Sequence, residues 1–146
     1  MTPDVNILLA AARRDHPHHA VAYDWLQQAV AAAERNTPLC LQGMVIASFL
    51  RLATHPKIFK EPTPMKAAVT FINALLEVPG VLQPALSEEW SEFHELCVKW
   101  KMRANDVPDA WLAAAVLRQS EHLVSFDAGF SRWLPRSRFT LLKAVS

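Results

Sequence analysis

The stretch NDVPDAWLAAAVLRQSEHLVSFDAGF, residues 105–130, holds a helix, a strand and three aspartates in one reading frame. Ala110 to Leu117 is a run of strong helix formers. Asp106 stands where an N-cap belongs. Asp109, three residues on, takes the acidic place of a capping box, and Pro108 suits a first turn, where a missing N–H costs nothing. After the helix, Leu123 to Ser125 reads as a short buried strand that runs into an acidic turn at Asp127. By local chemistry alone these aspartates start a helix and shape a turn. The rest of the chain bears on whether they also hold a metal ion.

Working outward, the same alternation of helix and strand recurs. Residues 1–4 form a very short strand ending near Asp4. Helices follow over Asn6 to Arg13 and His18 to Arg35, the second spaced by Val21, Trp25, Leu26 and Val30. The segment LCL at 39–41 is a short apolar strand before the helical GMVIASFLRLAT at 43–54. HPKIFKEPTP at 55–64, with three prolines, is a loop. A helix begins at Thr63 and stops at Pro79 and Gly80, VLQ at 81–83 is a third strand, and Ser87 opens a helix towards Trp100. RFTLL at 138–142 is the last strand. Strands that alternate with helices form a parallel sheet covered by helices, because parallel neighbours need crossover connections. The expected fold is α/β, a single domain over residues 1–146.

Composition narrows the chemistry. The chain has 146 residues, 51% of them hydrophobic, enough for one domain with a real core. The net charge of +1 conceals an asymmetry, since residues 1–98 carry a net −3 and residues 99–146 a net +4. Lys99, Lys101, Arg103, Arg118, Arg132, Arg136, Arg138 and Lys143 make the C-terminal third the basic end. Three glycines, Gly43, Gly80 and Gly129, leave no GxGxxG fingerprint and no Walker loop. Cys40 and Cys97 lack the spacing of a zinc site or a disulfide framework. With no signal-peptide pattern at the start and no apolar run of membrane length, a soluble, cytoplasmic protein is expected.

In open α/β sheets, function gathers outside the carboxyl ends of the strands. Asp4 ends the first strand, Asp127 follows the strand at 123–125, and Asp109 lies at the start of the helix that leads into that strand. Right-handed crossovers bring all three to one edge. Carboxylates held close together repel and raise one another's pKa, a cost relieved by a hard divalent ion. Mg²⁺ or Mn²⁺ takes oxygen ligands, keeps several waters and leaves room for phosphate oxygens. Phosphodiester hydrolysis is the matching reaction.

PDVNILL at 3–9, NDVPDAWLAA at 105–114 and LVSFDAGF at 123–130 resemble the PIN-domain ribonucleases, and more narrowly the VapC-type toxins of bacterial toxin–antitoxin pairs. HPHHAVAYDWL and FLRLATHPKIF resemble stretches of that group too, in the same order. The resemblance implies a PIN-like α/β/α sandwich with a short-stranded central parallel sheet. It implies an endoribonuclease, dependent on Mg²⁺ or Mn²⁺, that acts on structured RNA such as tRNA or rRNA. Homodimerisation and inhibition by a cognate antitoxin are implied as well. Matching positions make Asp4, Asp109 and Asp127 the metal-binding catalytic acids, with Asn6 and Ser125 supporting them or holding water.

One position departs from the pattern. Many members carry a glutamate where this chain has Ser48, whose hydroxyl brings no charge. The alternative to a nuclease is therefore a catalytically weakened module that binds RNA or an antitoxin without cutting. Asp106 is a compensating acid or a cap. Arg51, three residues after Ser48, is a holder of RNA phosphate or a surface arginine paired with a carboxylate. Phe130, Arg132 and Trp133, after Asp127, are the aromatic and basic side chains suited to touching RNA, with packing the competing role for the rings. Trp25, Trp90, Trp100 and Trp111 are expected in the core or at a dimer contact, and HPHH at 16–19 as a solvated helix start. A haloacid-dehalogenase-type phosphatase is disfavoured, since the second aspartate it needs is Asn6 here.

Overall fold

The structure, a computed structural model, describes residues 1–85 and 88–143. The helix start expected at Ser87 lies outside the described residues. In chain order the elements are β1 (Thr2–Pro3), α1 (Val5–Ala12), α2 (His19–Arg35), β2 (Leu39–Cys40), α3 (Gly43–Ala53), α4 (Met65–Leu76), β3 (Val81–Leu82), α5 (Trp90–Lys99), α6 (Asp106–Arg118), β4 (Leu123–Ser125) and β5 (Phe139–Leu141). Two 3-10 turns, Ala128–Arg132 and Arg136–Arg138, connect β4 to β5.

Among the described residues, every strand pairing is parallel. β4 lies between β1 and β5, and β2 pairs with β3. These make a three-stranded sheet, β1-β4-β5, and a two-stranded one, β2-β3; the Cys40 N–H donates to the Met1 carbonyl at 2.8 Å, which brings β2 alongside β1 so that the two sheets form one central layer. Helices flank this sheet, as the alternating sequence pattern predicts. Strands of two or three residues suffice because both faces are covered, so the pairing positions are apolar and buried throughout β2 and at Leu123 and Val124.

The core is made by α1, whose Ile7 to Ala11 are buried, by Leu26 of α2, by Val45 and Phe49 of α3, and by α6. Buried positions occupy α6 from Leu112 to Val116 without a break, so this helix is enclosed on nearly all sides. α5 differs, with no buried residue. Trp90 is 70% exposed, and Trp100 and Trp111 are exposed as well, so the core is not their place; Trp25 is half-buried against it.

Thr63 does not start α4. Its N–H donates to the Ala53 carbonyl at 2.8 Å, and its hydroxyl accepts from Arg13 at 2.9 Å. Arg13, buried beneath the proline-rich loop, also clamps Asp15 through two hydrogen bonds and lies 3.7 Å from the Phe59 ring centre. Gly80, at the turn into β3, has φ +84°, and a Cβ there would stand 2.1 Å from the Ala33 carbonyl oxygen of α2. Gly80→Ala is expected to lose roughly 2–4 kcal/mol, from the left-handed backbone together with displaced helix backbone. Thermal or urea unfolding measures it.

Candidate active site

β1 and β4 end side by side, with Pro3 opposite Val124, and the Asp4 N–H closes the ladder on the Val124 carbonyl at 2.9 Å. Asp4 is thereby buried at the carboxyl edge. It caps α1, with Oδ1 accepting from the Val5 N–H at 2.7 Å, while Oδ2 accepts from the Ser125 hydroxyl at 2.7 Å. Ser125 Oγ in turn accepts from the Asp127 N–H at 2.9 Å and from Asn6 Nδ2 at 3.1 Å; Asn6 Oδ1 accepts from the Phe126 N–H at 3.2 Å. One buried hydroxyl thus ties the ends of two strands and the first turn of α1 together. Asn6 and Ser125 are thereby placed directly behind the Asp4 carboxylate. Ser125→Ala strands an Asp4 oxygen and the Asp127 N–H together, and is expected to cost about 1–3 kcal/mol. A thermal melt beside the wild type tests it.

Asp127 is exposed and shapes the following turn, its Oδ1 accepting from the Gly129 N–H at 2.8 Å. Asp109, half-buried, projects from the first turn of α6. Burial raises its carboxyl first, and the charges of Asp4, Asp127 and Asp106 raise it further, to about 6, with Arg132 opposing them. Burial likewise pushes Asp4 up, against its hydrogen bonds from Ser125 and Val5, and Asp127 adds to the rise. Acids far apart in sequence therefore share one electrostatic neighbourhood.

Asp106 is not a cap. It lies inside the first turn of α6, Asn105 occupies the cap position without a side-chain bond, and Asp106 acts instead as a further carboxylate beside Asp109. The capping chemistry foreseen for α6 appears at Asp4 and Asp127.

A cavity of about 400 Å³ opens here, lined by Asp4, Ser48 and Asp109 together with Met44, Phe93, Val107 and Trp111. Ser48 faces the same space as Asp4 and Asp109, whereas Asp127 lies outside the cavity lining. Arg51, exposed at the end of α3, does not line the cavity and has no carboxylate partner among the described residues. Phe130 is 1% exposed and packs edge-on against Trp133, itself 8% exposed, so both rings belong to the core rather than to an RNA surface. Arg132 remains exposed over the outer side of Trp133, 4.7 Å from its ring centre, with its charge felt at Asp109. The histidines at 16–19 are packed rather than solvated: His18 stacks on Phe126 at 4.8 Å, and the His19 Nδ1 meets the Ala10 carbonyl at 2.9 Å. Phe93 and Met44 are cavity residues that sequence reasoning missed; the apolar spacing of Trp90 and Phe93 was the available signal.

Among the described residues, no group of three or more His, Cys, Asp or Glu side chains is placed to hold a metal ion together. Mg²⁺ needs none, since it binds through one or two carboxylates and keeps its waters. The donor set fits such an ion: hard oxygen ligands, with more negative charge than Arg132 offsets.

A sequence profile of the PIN domain matches residues 1–133. Ribonuclease VapC31 of Mycobacterium tuberculosis is 35% identical over 131 residues, 89% of this chain and 90% of that protein. Ribonuclease VapC25 of the same organism is 34% identical over the same shares. Among solved structures, the fold is shared with VapBC2 of Rickettsia felis bound to a promoter DNA fragment, at TM-score 0.63 and 15% identity over 95% of this chain and 96% of that one. It is shared equally with M. tuberculosis VapC20, a sarcin–ricin loop cleaving toxin, at TM-score 0.63 and 16% identity over 90% and 92%. A strand-end aspartate, a helix-start aspartate and a turn aspartate gathered on one parallel edge, in a chain that matches this profile over nearly its whole length, place the protein in the PIN-domain family, as a homologue of the VapC ribonucleases.

Proposed function

We propose that the protein is a divalent-metal-dependent endoribonuclease that cuts structured RNA, such as tRNA or rRNA, as the toxin of a toxin–antitoxin pair. The observation that carries this is the gathering of Asp4, Asp109 and Asp127, from three distant segments, at one edge of the sheet beside an open cavity. The names of the VapC relatives support the substrate class, and the VapBC2 structure supports an antitoxin as partner. A homodimer is part of the same reading.

Asp4, Asp109 and Asp127 would hold Mg²⁺ or Mn²⁺, which when bound supplies charge neutralisation at the phosphate and a more acidic water for attack. The chain's own contribution is orientation. Asp4 has one lone-pair direction on each oxygen committed to Val5 and Ser125, leaving the others aimed by a fixed carboxylate. The Ser48 hydroxyl, in the same cavity, orients water by hydrogen bonding. Arg132, beside Asp109, and exposed Arg51 on α3 supply positive charge for the RNA backbone.

Ser48 also favours a second reading, a module that binds without cutting, because it brings no charge to the cavity. Incubation of the purified protein with end-labelled tRNA and rRNA fragments in Mg²⁺, in Mn²⁺ and in chelator separates the two. Cleavage that requires the ions supports the nuclease. Binding that is equal in chelator, with no cut in any ion, supports the module.

A further inference from the structure

Resting on the RNA reading above, the geometry points to a base-stacking subsite on Trp111 and Phe93, where an unpaired nucleotide beside the scissile phosphate places its base. The two rings line the acid cavity, and they also line a second cavity of about 400 Å³, with Trp90, Glu88 and Glu89. A double aromatic wall thus separates the carboxylates from a neighbouring recess. Trp111 is exposed, two residues beyond Asp109 on α6, and Phe93 comes from the facing side of α5.

These rings are not held for the core. α5 has no buried residue, and while its Leu96 packs against the core, Trp90, Phe93 and Val98 do not. Trp90 extends the wall outward, its ring centre 6.0 Å from that of Phe93 and 5.3 Å from that of His94.

The second recess is lined by Glu88, whose carboxylate pairs with Arg118 at 3.9 Å and keeps lone pairs that accept hydrogen bonds from base N–H groups. The phosphate stays with the cation on the acid side, and the flanking base is the part that crosses to the aromatic face. A flat unpaired base fills such a slot. A paired one does not, because its faces are already stacked within the helix. The subsite thus selects single-stranded positions within folded RNA, such as loops and bulges.

Anisotropy of a short fluorescein-labelled single-stranded RNA in chelator, with its duplex as control, reads binding apart from cleavage. The expected result is single strand preferred over duplex and Trp111→Ala binding the single strand roughly tenfold more weakly. Trp111→Phe retains most of the affinity, and in cleavage assays Trp111→Ala raises KM more than it lowers kcat. Phe93→Ala gives the same pattern if Trp111→Ala folds poorly by circular dichroism. Wild-type cleavage with KM and single-strand affinity unchanged in both alanine variants overturns the subsite alone. Light scattering that shows a wild-type dimer turned to monomer by Trp111→Ala, with RNA affinity per chain intact, assigns the face to a second copy and also overturns it. A wild type that neither binds nor cuts RNA removes the underlying function as well.

Discussion

Asp109→Asn is expected to lower RNA cleavage by roughly 10²–10³-fold or more, the scale of removing a group that stabilises charge in a transition state, while raising the thermal stability of the metal-free protein. The two effects have one cause. Asp109 is half-buried among Asp4, Asp127 and Asp106, and its carboxyl is pushed up to about 6, so its charge at neutral pH opposes the fold. The shift corresponds to at most about 3 kcal/mol, and partial solvent screening reduces the gain to roughly 1 kcal/mol, or about 2–4 °C for a domain of this size. Asparagine keeps the shape and removes the charge. Mg²⁺ or Mn²⁺ should raise the melting temperature of the wild type and leave that of the variant nearly unchanged. Asp109→Ala should likewise abolish cleavage with the fold largely intact. A variant that unfolds while its folded fraction cuts normally would restore a purely structural role for this aspartate.

The second large effect is pH dependence. The groups facing Asp109 are Asp4 from the end of β1, Asp127 from the turn after β4, Asp106 from its own helix, and Arg132 as the opposing cation. A carboxyl whose folded pKa is raised favours the folded state most below its unfolded pKa, and that contribution is lost as pH rises through the folded value. For Asp109 the window runs from its ordinary 3.8 to about 6, and Asp4 shifts in the same direction. Metal-free stability from this cluster should therefore fall between pH 4 and pH 6, against any opposing trend elsewhere in the chain. Cation affinity should do the opposite, because the ion competes with protons: below about pH 6 it should weaken roughly tenfold per pH unit for each proton displaced. Cleavage should follow affinity at limiting Mn²⁺ and recover at saturating Mn²⁺. Rates and melts over pH 5–8, at two Mn²⁺ concentrations, check both signs.

The order of helices and strands was legible because periodicity and turn chemistry act locally. Pro79 and Gly80 ended α4's segment, and the buried run at 123–125 became β4. The convergence of Asp4, Asp109 and Asp127 was legible through topology, since parallel strands and right-handed crossovers bring strand ends and helix starts to one edge. Side-chain direction was not. Phe130 and Trp133 follow Asp127 in sequence, but the 3-10 turn at Ala128–Arg132 folds both inward, and only Arg132 stays outside. Asp106 had the spacing of a capping box, yet a preceding turn with Ala104 at φ 52° starts the helix early enough to place Asp106 within it. For the tryptophans of α5 and α6, expected in the core or at a dimer contact, apolar spacing could not choose between the two, because it marks a helix face without saying whether that face meets the core. The Ser125 network was half visible, as a residue type at a strand end, but its role as the single hydroxyl joining Asp4, Asn6 and Asp127 depends on the β1–β4 register.

The most direct measurement is a calorimetric Mn²⁺ titration at pH 7.5 of the wild type and of Asp4→Asn, Asp109→Asn and Asp127→Asn, each checked for folding by circular dichroism. A shared site predicts saturable binding in the wild type that each single change weakens by tenfold or more. Wild-type binding that survives all three substitutions, or no binding to a folded wild type at millimolar Mn²⁺, would contradict it.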